Sequence, residues 1–83
     1  MAVAVRGKVT KLYPQENGCY LKIDASPKPK DGFFWIGLNH PNYNSLFSIA
    51  VVAFVNNYEL QVRAKAEINS NEHASVSYVT IDK

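Results

Sequence analysis

Leu46-Phe47-Ser48-Ile49-Ala50-Val51-Val52-Ala53-Phe54-Val55 is the longest apolar stretch in the chain, and only Ser48 interrupts it. Its reading decides the fold. Ile49, Val51, Val52 and Val55 are β-branched and favour a strand by propensity. The spacing favours a helix, because Leu46, Ile49, Ala50, Ala53 and Phe54 fall at i, i+3, i+4, i+7 and i+8. The length exceeds that of an ordinary strand, and a bilayer span needs about 20 apolar residues, so the stretch reads as a buried helix with no membrane insertion. Asn42 or Asn44 can cap its start, and Asn56-Asn57 can supply a left-handed stop. The expected helix runs from Tyr43 to Asn56, buried on most of its surface.

The segments on either side alternate with the period of two that marks half-buried strands. Upstream, Val3 to Tyr13 puts Val3, Val5, Gly7 and Val9 on one face and Arg6, Lys8 and Thr10 on the other. Pro14 to Gly18 has the composition of a turn. Cys19 to Asp24 sets Cys19, Leu21 and Ile23 against Tyr20, Lys22 and Asp24, completing a hairpin. Ala25 to Gly32 holds two prolines and reads as an exposed loop. Phe33 to Leu38 is a short aromatic strand. Downstream, Glu59 to Ile68 faces Leu60, Val62, Ala64, Ala66 and Ile68 inward. Asn69 to His73 is a polar turn. Ala74 to Asp82 is the last strand, with Val76, Tyr78 and Thr80 opposite Ser77, Val79 and Ile81. Apolar groups on both its faces point to burial on two sides or to contact with another chain.

The order is three strands, a helix, then two strands. That order predicts a mainly β fold, a small five-stranded OB-like barrel with one α-helix between strands 3 and 4. A chain of 83 residues has room for one such domain, spanning 1–83, and excludes doubly wound and TIM-barrel enzymes. A simple α+β sheet with one packed helix is the other arrangement the order allows. Hydrophobic content of 47% with 19% charged residues belongs to a folded globular chain. The net charge of +2 is too small to require nucleic acid. Cys19 is the single cysteine, so no internal disulfide forms and a thiolate zinc site is not expected. No signal-peptide pattern follows Met1, which suits a cytoplasmic protein or an exported one whose signal has been removed.

The stretch from Asn39-His40-Pro41-Asn42-Tyr43-Asn44-Ser45-Leu46-Phe47-Ser48 to Ala53, with Gly7 to Pro14 and Val76-Ser77-Tyr78-Val79, resembles a group of small bacterial OB-like proteins. That group is similar in organisation to the B subunits of AB5 toxins of the subtilase-cytotoxin and pertussis kind. The resemblance implies a strand barrel with a helix packed on its edge. For the toxin relatives it implies ring-like assembly and glycan binding. The cysteine pair usual in the exported relatives is missing here.

In an OB-type barrel, ligands lie across strands 2 and 3, flanked by the loops joining strands 1–2 and 4–5. Here that places Tyr13, Tyr20, Lys22, Phe33, Trp35, Asn71 and His73 as candidate ligand-binding residues. Aromatic faces stack on sugar rings or on bases, and lysines hold anionic groups. Three consecutive aromatics in a strand cannot share one face, so at least one of Phe33, Phe34 and Trp35 points outward. Phe47, Val51 and Phe54 are candidates for an oligomer interface, because one small barrel cannot cover every side of so apolar a helix. His40 and His73 lie in separate loops with no partner at a zinc-ligand spacing, and Cys19 reads as a core residue. No nucleophile, base and orienting group fall together, so neither catalysis nor a cofactor is expected. The reading is a non-catalytic binding module that recognises a glycan as a homo-oligomer. The alternatives are a single-stranded nucleic-acid-binding domain and a protein interaction module.

Overall fold

The computed structural model describes residues 3–82 of the chain. It contains β1 (Ala4–Gln15), β2 (Gly18–Asp24), β3 (Phe33–Gly37), α1 (Tyr43–Asn56), β4 (Glu59–Ala64) and β5 (Ala74–Asp82), with one 3-10 turn at Lys30–Gly32. The strands close into a barrel in the order β1-β2-β3-β5-β4, with β4 returning to β1. Among the described residues only the β3–β5 contact is parallel, and it is short, pairing Phe34 with Ala74 and Trp35 with Ser75. This is the small five-stranded OB-like barrel that the element order predicts.

The inward faces fill the barrel. Val5, Val9, Leu21, Ile23, Phe34, Ile36, Leu60, Val62, Ala64, Ala74, Val76 and Val79 form one buried cluster, joined by Ile68 and by Leu46, Ala50 and Ala53 of α1. Gly7 is required where β1 meets the end of β2, since a side chain there would strike the Asp24 carbonyl. Cys19 is fully buried, as a core residue should be.

α1 spans the residues expected of it. Its stop is the left-handed Asn57, at φ 60°, and the Tyr58 amide closes the end on the Ala53 carbonyl at 3.0 Å. Its start differs. Asn42 occupies the capping position but its side chain caps nothing. Its backbone N–H instead donates to His40 Nδ1 at 3.0 Å. That nitrogen is therefore an acceptor, and His40 Nε2 carries the proton it donates to the Ser77 carbonyl at 3.1 Å. One neutral imidazole thus ties the start of the helix to β5.

Burial of α1 is narrower than expected. Leu46, Ala50 and Ala53 are buried, whereas Val52, Phe54 and Val55 are exposed. The small Ala50 and Ala53 let the helix lie close on the barrel, and a close flat contact covers one stripe only.

Two strands depart from simple alternation. In β1 the register slips between Val9 and Lys11, so that Val9 pairs with Ile23 and Lys11 with Lys22. Thr10 is the extra residue, and beyond it the faces exchange. In β5 the register with β4 slips so that Arg63 pairs with Tyr78 and Ala64 with Val76. Ser77 is the extra residue, which lets Val76 and Val79 both point into the core. The mixed faces of β5 come from this bulge, not from burial on two sides. β4 also ends at Ala64, four residues short of the expected Ile68. Past that point Lys65 bonds Ser75 across to β5, Ala66 turns to solvent, and Ile68 re-enters the core from the loop.

Candidate functional site

The outer face of β1, β2 and β3 carries a continuous cluster of rings. Tyr20, in the central strand, is its hub. Its ring centroid lies 4.7 Å from Trp35, 5.0 Å from His73, 5.5 Å from Phe33 and 6.2 Å from Tyr13. Phe33 and His73 are also in contact, at 6.2 Å. The register explains the gathering. Tyr13 pairs with Tyr20, Tyr20 with Trp35, and Lys22 with Phe33. Directly opposed residues of neighbouring strands bring their side chains about 5 Å apart. His73 arrives from the loop before β5, where its Nδ1 lies 3.1 Å from the Lys30 carbonyl.

The alternation of β3 sorts its aromatics as expected. Phe34 points into the core and is 1% exposed, whereas Phe33 and Trp35 are half-buried on the outside. Trp35 lies where it does because Gly18 and Gly37 are bare. A side chain at Gly18 would come within 2.8 Å of the indole ring and would also strike the Ile36 carbonyl. Gly18 has a φ of 157°, which further favours glycine.

Two cations lie over the rings. Lys11 Nζ is 5.6 Å from the Tyr13 centroid and 5.9 Å from that of Phe33, and Lys22 Nζ is 5.7 Å from the Phe33 ring. Lys11 and Lys22 are direct cross-strand partners, an arrangement in which like charges repel. The ring quadrupole between them offsets part of that repulsion. Together they form a small cationic spot at the Phe33 end of the face, where an acidic group would be attracted.

The structure thus brings together Tyr13, Tyr20, Lys22, Phe33, Trp35 and His73. Asn71 stays apart from them. Its backbone N–H donates to the Asn69 side chain at 2.9 Å in an exposed turn, and no ring contact joins it to the cluster. Lys11 belongs to the cluster although sequence reasoning missed it. Strict alternation from Val9 turns Lys11 inward, and only the Thr10 bulge carries it to the outer face. The signal was there in the form of a lysine at an inward position.

On α1, Phe47 is half-buried and stacks on Tyr43 at 6.0 Å with nearly parallel planes. Val51 is half-buried and Phe54 exposed. The buried Cys19 thiol bonds the Tyr20 carbonyl at 3.3 Å. Burial pushes it up from its ordinary pKa, against a smaller opposing pull from a backbone hydrogen bond at Tyr13. Burial, and then Cys19, also raise the Tyr43 phenol. Among the described residues, no three His, Cys, Asp or Glu side chains gather to hold a metal ion, and no helix is long and apolar enough to cross a membrane. In comparisons with known proteins, the chain matches no family model, no curated protein and no solved structure.

Proposed function

We propose that this protein is a non-catalytic recognition module that binds a glycan across the outer face of β1, β2 and β3. The observation that carries the proposal is the ring cluster centred on Tyr20, held on the face where OB-type barrels take their ligands. Half-buried rings are already ordered by their neighbours, so stacking a sugar on them costs little further conformational entropy. Lys11 and Lys22 would receive an acidic substituent on that glycan. The resemblance to the B subunits of AB5 toxins points the same way.

Single sugar sites are weak, and assembly multiplies them through effective concentration. The exposed Val52, Phe54 and Val55 on α1 supply an apolar surface for self-association. Homo-oligomerisation is part of the proposal on that ground.

A second reading has one specific observation behind it. Paired lysines flanking a half-buried phenyl ring also suit the phosphate and base of a single-stranded nucleic acid. The two readings part on salt. Phosphate binding weakens steeply as salt rises, because counterions are released. A glycan array probed with the wild type and with Tyr20→Ala, alongside a salt titration with a single-stranded oligonucleotide, tests both. Binding to defined glycans that Tyr20→Ala abolishes supports the first reading. Oligonucleotide binding that falls steeply with salt, with an empty array, replaces it with the second.

A further inference from the structure

Trp35 also lines an open cleft at the Gly37 end of β3. It is lined by Asn17, Trp35, Gly37, Leu38 and Asn39 and measures about 570 Å³, within the roughly 300–1,000 Å³ of small-molecule sites. Its floor is the bare backbone of Gly37. A Cβ built there would lie 2.8 Å from Asn39 Oδ1 and 3.3 Å from Trp35 Nε1, so amide oxygen and indole nitrogen both overhang this one glycine.

These polar groups are unspent. No hydrogen bond among the described residues uses the Trp35 indole N–H or the side-chain amides of Asn17 and Asn39. Asn17 is held in place through its backbone, whose carbonyl accepts the Leu38 N–H at 2.8 Å. The two amides therefore come from loops that are tied to each other, with their side chains left available. Leu38 is 57% exposed on the rim. An amide side chain offers one acceptor and two donors, which match neighbouring hydroxyls on a ring. The indole adds an apolar face and one donor. None of the lining residues is charged.

We propose that this cleft is a subsite for an uncharged, hydroxyl-rich ring, a neutral pyranose, with Trp35 beneath it and Asn17 and Asn39 bonding its hydroxyls. The inference rests on the glycan reading and makes it directional. Phe33 and Trp35 stand about 6.6 Å apart along β3. The ligand face thus has a cationic end at Lys11, Lys22 and Phe33 and a neutral end at Trp35 and Asn39.

Trp35 is the only tryptophan, so the ¹H–¹⁵N spectrum holds a single indole cross-peak. The experiment titrates the full chain separately with galactose, glucose and N-acetylglucosamine, into the range of about 10 mM that weak single-site binding requires. The expected result is a saturable shift of the indole cross-peak with at least one sugar. Asn39→Ala should weaken that binding about two- to tenfold, as the net loss of one hydrogen bond does. Asn17→Ala, at a separate exposed position, should do the same, while Lys28→Ala in the distant loop changes nothing. An indole peak that stays still with all three sugars overturns the subsite, as does unaltered affinity in both asparagine variants. Sugars that move the Lys11, Lys22 and Phe33 amides but not the indole would sink the subsite and leave the glycan reading intact. If no sugar moves any peak and an oligonucleotide moves the face, both fall.

Discussion

Phe33 and Phe34 are adjacent in sequence and opposite in role, and exchanging each for alanine separates core from site. Phe34 is 1% exposed at the centre of the barrel cluster. Truncating a buried phenylalanine costs about 3–5 kcal/mol, the transfer loss plus the cavity left behind. A chain of 83 residues has a total stability of about 4–12 kcal/mol. Phe34→Ala therefore removes a large part of it, or all. Phe33 is half-buried and touches two rings, Tyr20 and His73. Each such contact contributes about 0.5–1.5 kcal/mol, so Phe33→Ala should cost about 1–3 kcal/mol. In a domain of this size 1 kcal/mol moves Tm by about 4–8 °C. Far-ultraviolet circular dichroism through a thermal scan, with a urea titration at fixed temperature, reads both. The expected order is a modest shift for Phe33→Ala, with the urea slope unchanged, and a loss of at least about 12 °C for Phe34→Ala. Equal losses would refute the reasoning, because they would make Phe33 a core ring and dissolve the outer face on which the site is built.

Gly18→Ala should destabilise the barrel and release the indole, since the new methyl meets the Ile36 carbonyl and the Trp35 ring. A red-shifted tryptophan fluorescence at a lowered Tm checks it, and an unchanged spectrum contradicts it. Phe54→Asp should leave the fold intact, because that ring is exposed, and should dissociate any assembly into monomers. Light scattering on a sizing column reads this, and a monomeric wild type removes the premise. The Cys19 thiol is pushed up in the folded state. The unfolded chain then loses its proton first as pH rises past about 8.5, so stability is intact below that pH and declines above it. Cys19→Ala should remove part of that alkaline decline, measured by urea unfolding at pH 8 and pH 10. Identical slopes in the two proteins would show that the thiol contributes nothing.

The barrel was legible because most of its strands obey one rule. In β2 and β3 the residues that alternate inward (Cys19, Leu21, Ile23, Phe34 and Ile36) are all buried, and their neighbours form the outer face. In α1 the i, i+3, i+4 spacing outweighed a β-branched composition, because Leu46, Ala50 and Ala53 had a barrel wall to pack against. Its depth of burial was not legible. Sequence spacing shows that a stripe exists, but the width covered depends on how closely the partner surface approaches. Small alanines made that approach close and left Val52, Phe54 and Val55 outside.

The site was legible where alternation held and obscure where it broke. Tyr20, Lys22, Phe33 and Trp35 follow from β2 and β3 alone. Lys11 and the placement of Tyr13 depend on one extra residue, Thr10, which exchanges the faces of β1 halfway along. Without that bulge Lys11 and Tyr13 would turn inward and Leu12 outward, at a high cost in buried charge. Leu12 in fact packs against the core cluster. A charged residue at an inward position, followed by an apolar one at an outward position, is therefore the signature of the shift. β5 carries the same signature in Tyr78 and Thr80, which would turn inward if alternation continued past Val76, and Ser77 resolves it. The Trp35 cleft lay further beyond reach. Asn17 and Asn39 are ordinary turn residues in sequence. Only the pairing of Gly18 with Gly37 sets their two loops side by side and leaves the floor between them bare. The candidate surface on this small barrel is thus made less by any motif than by where two strands slip and where two glycines meet.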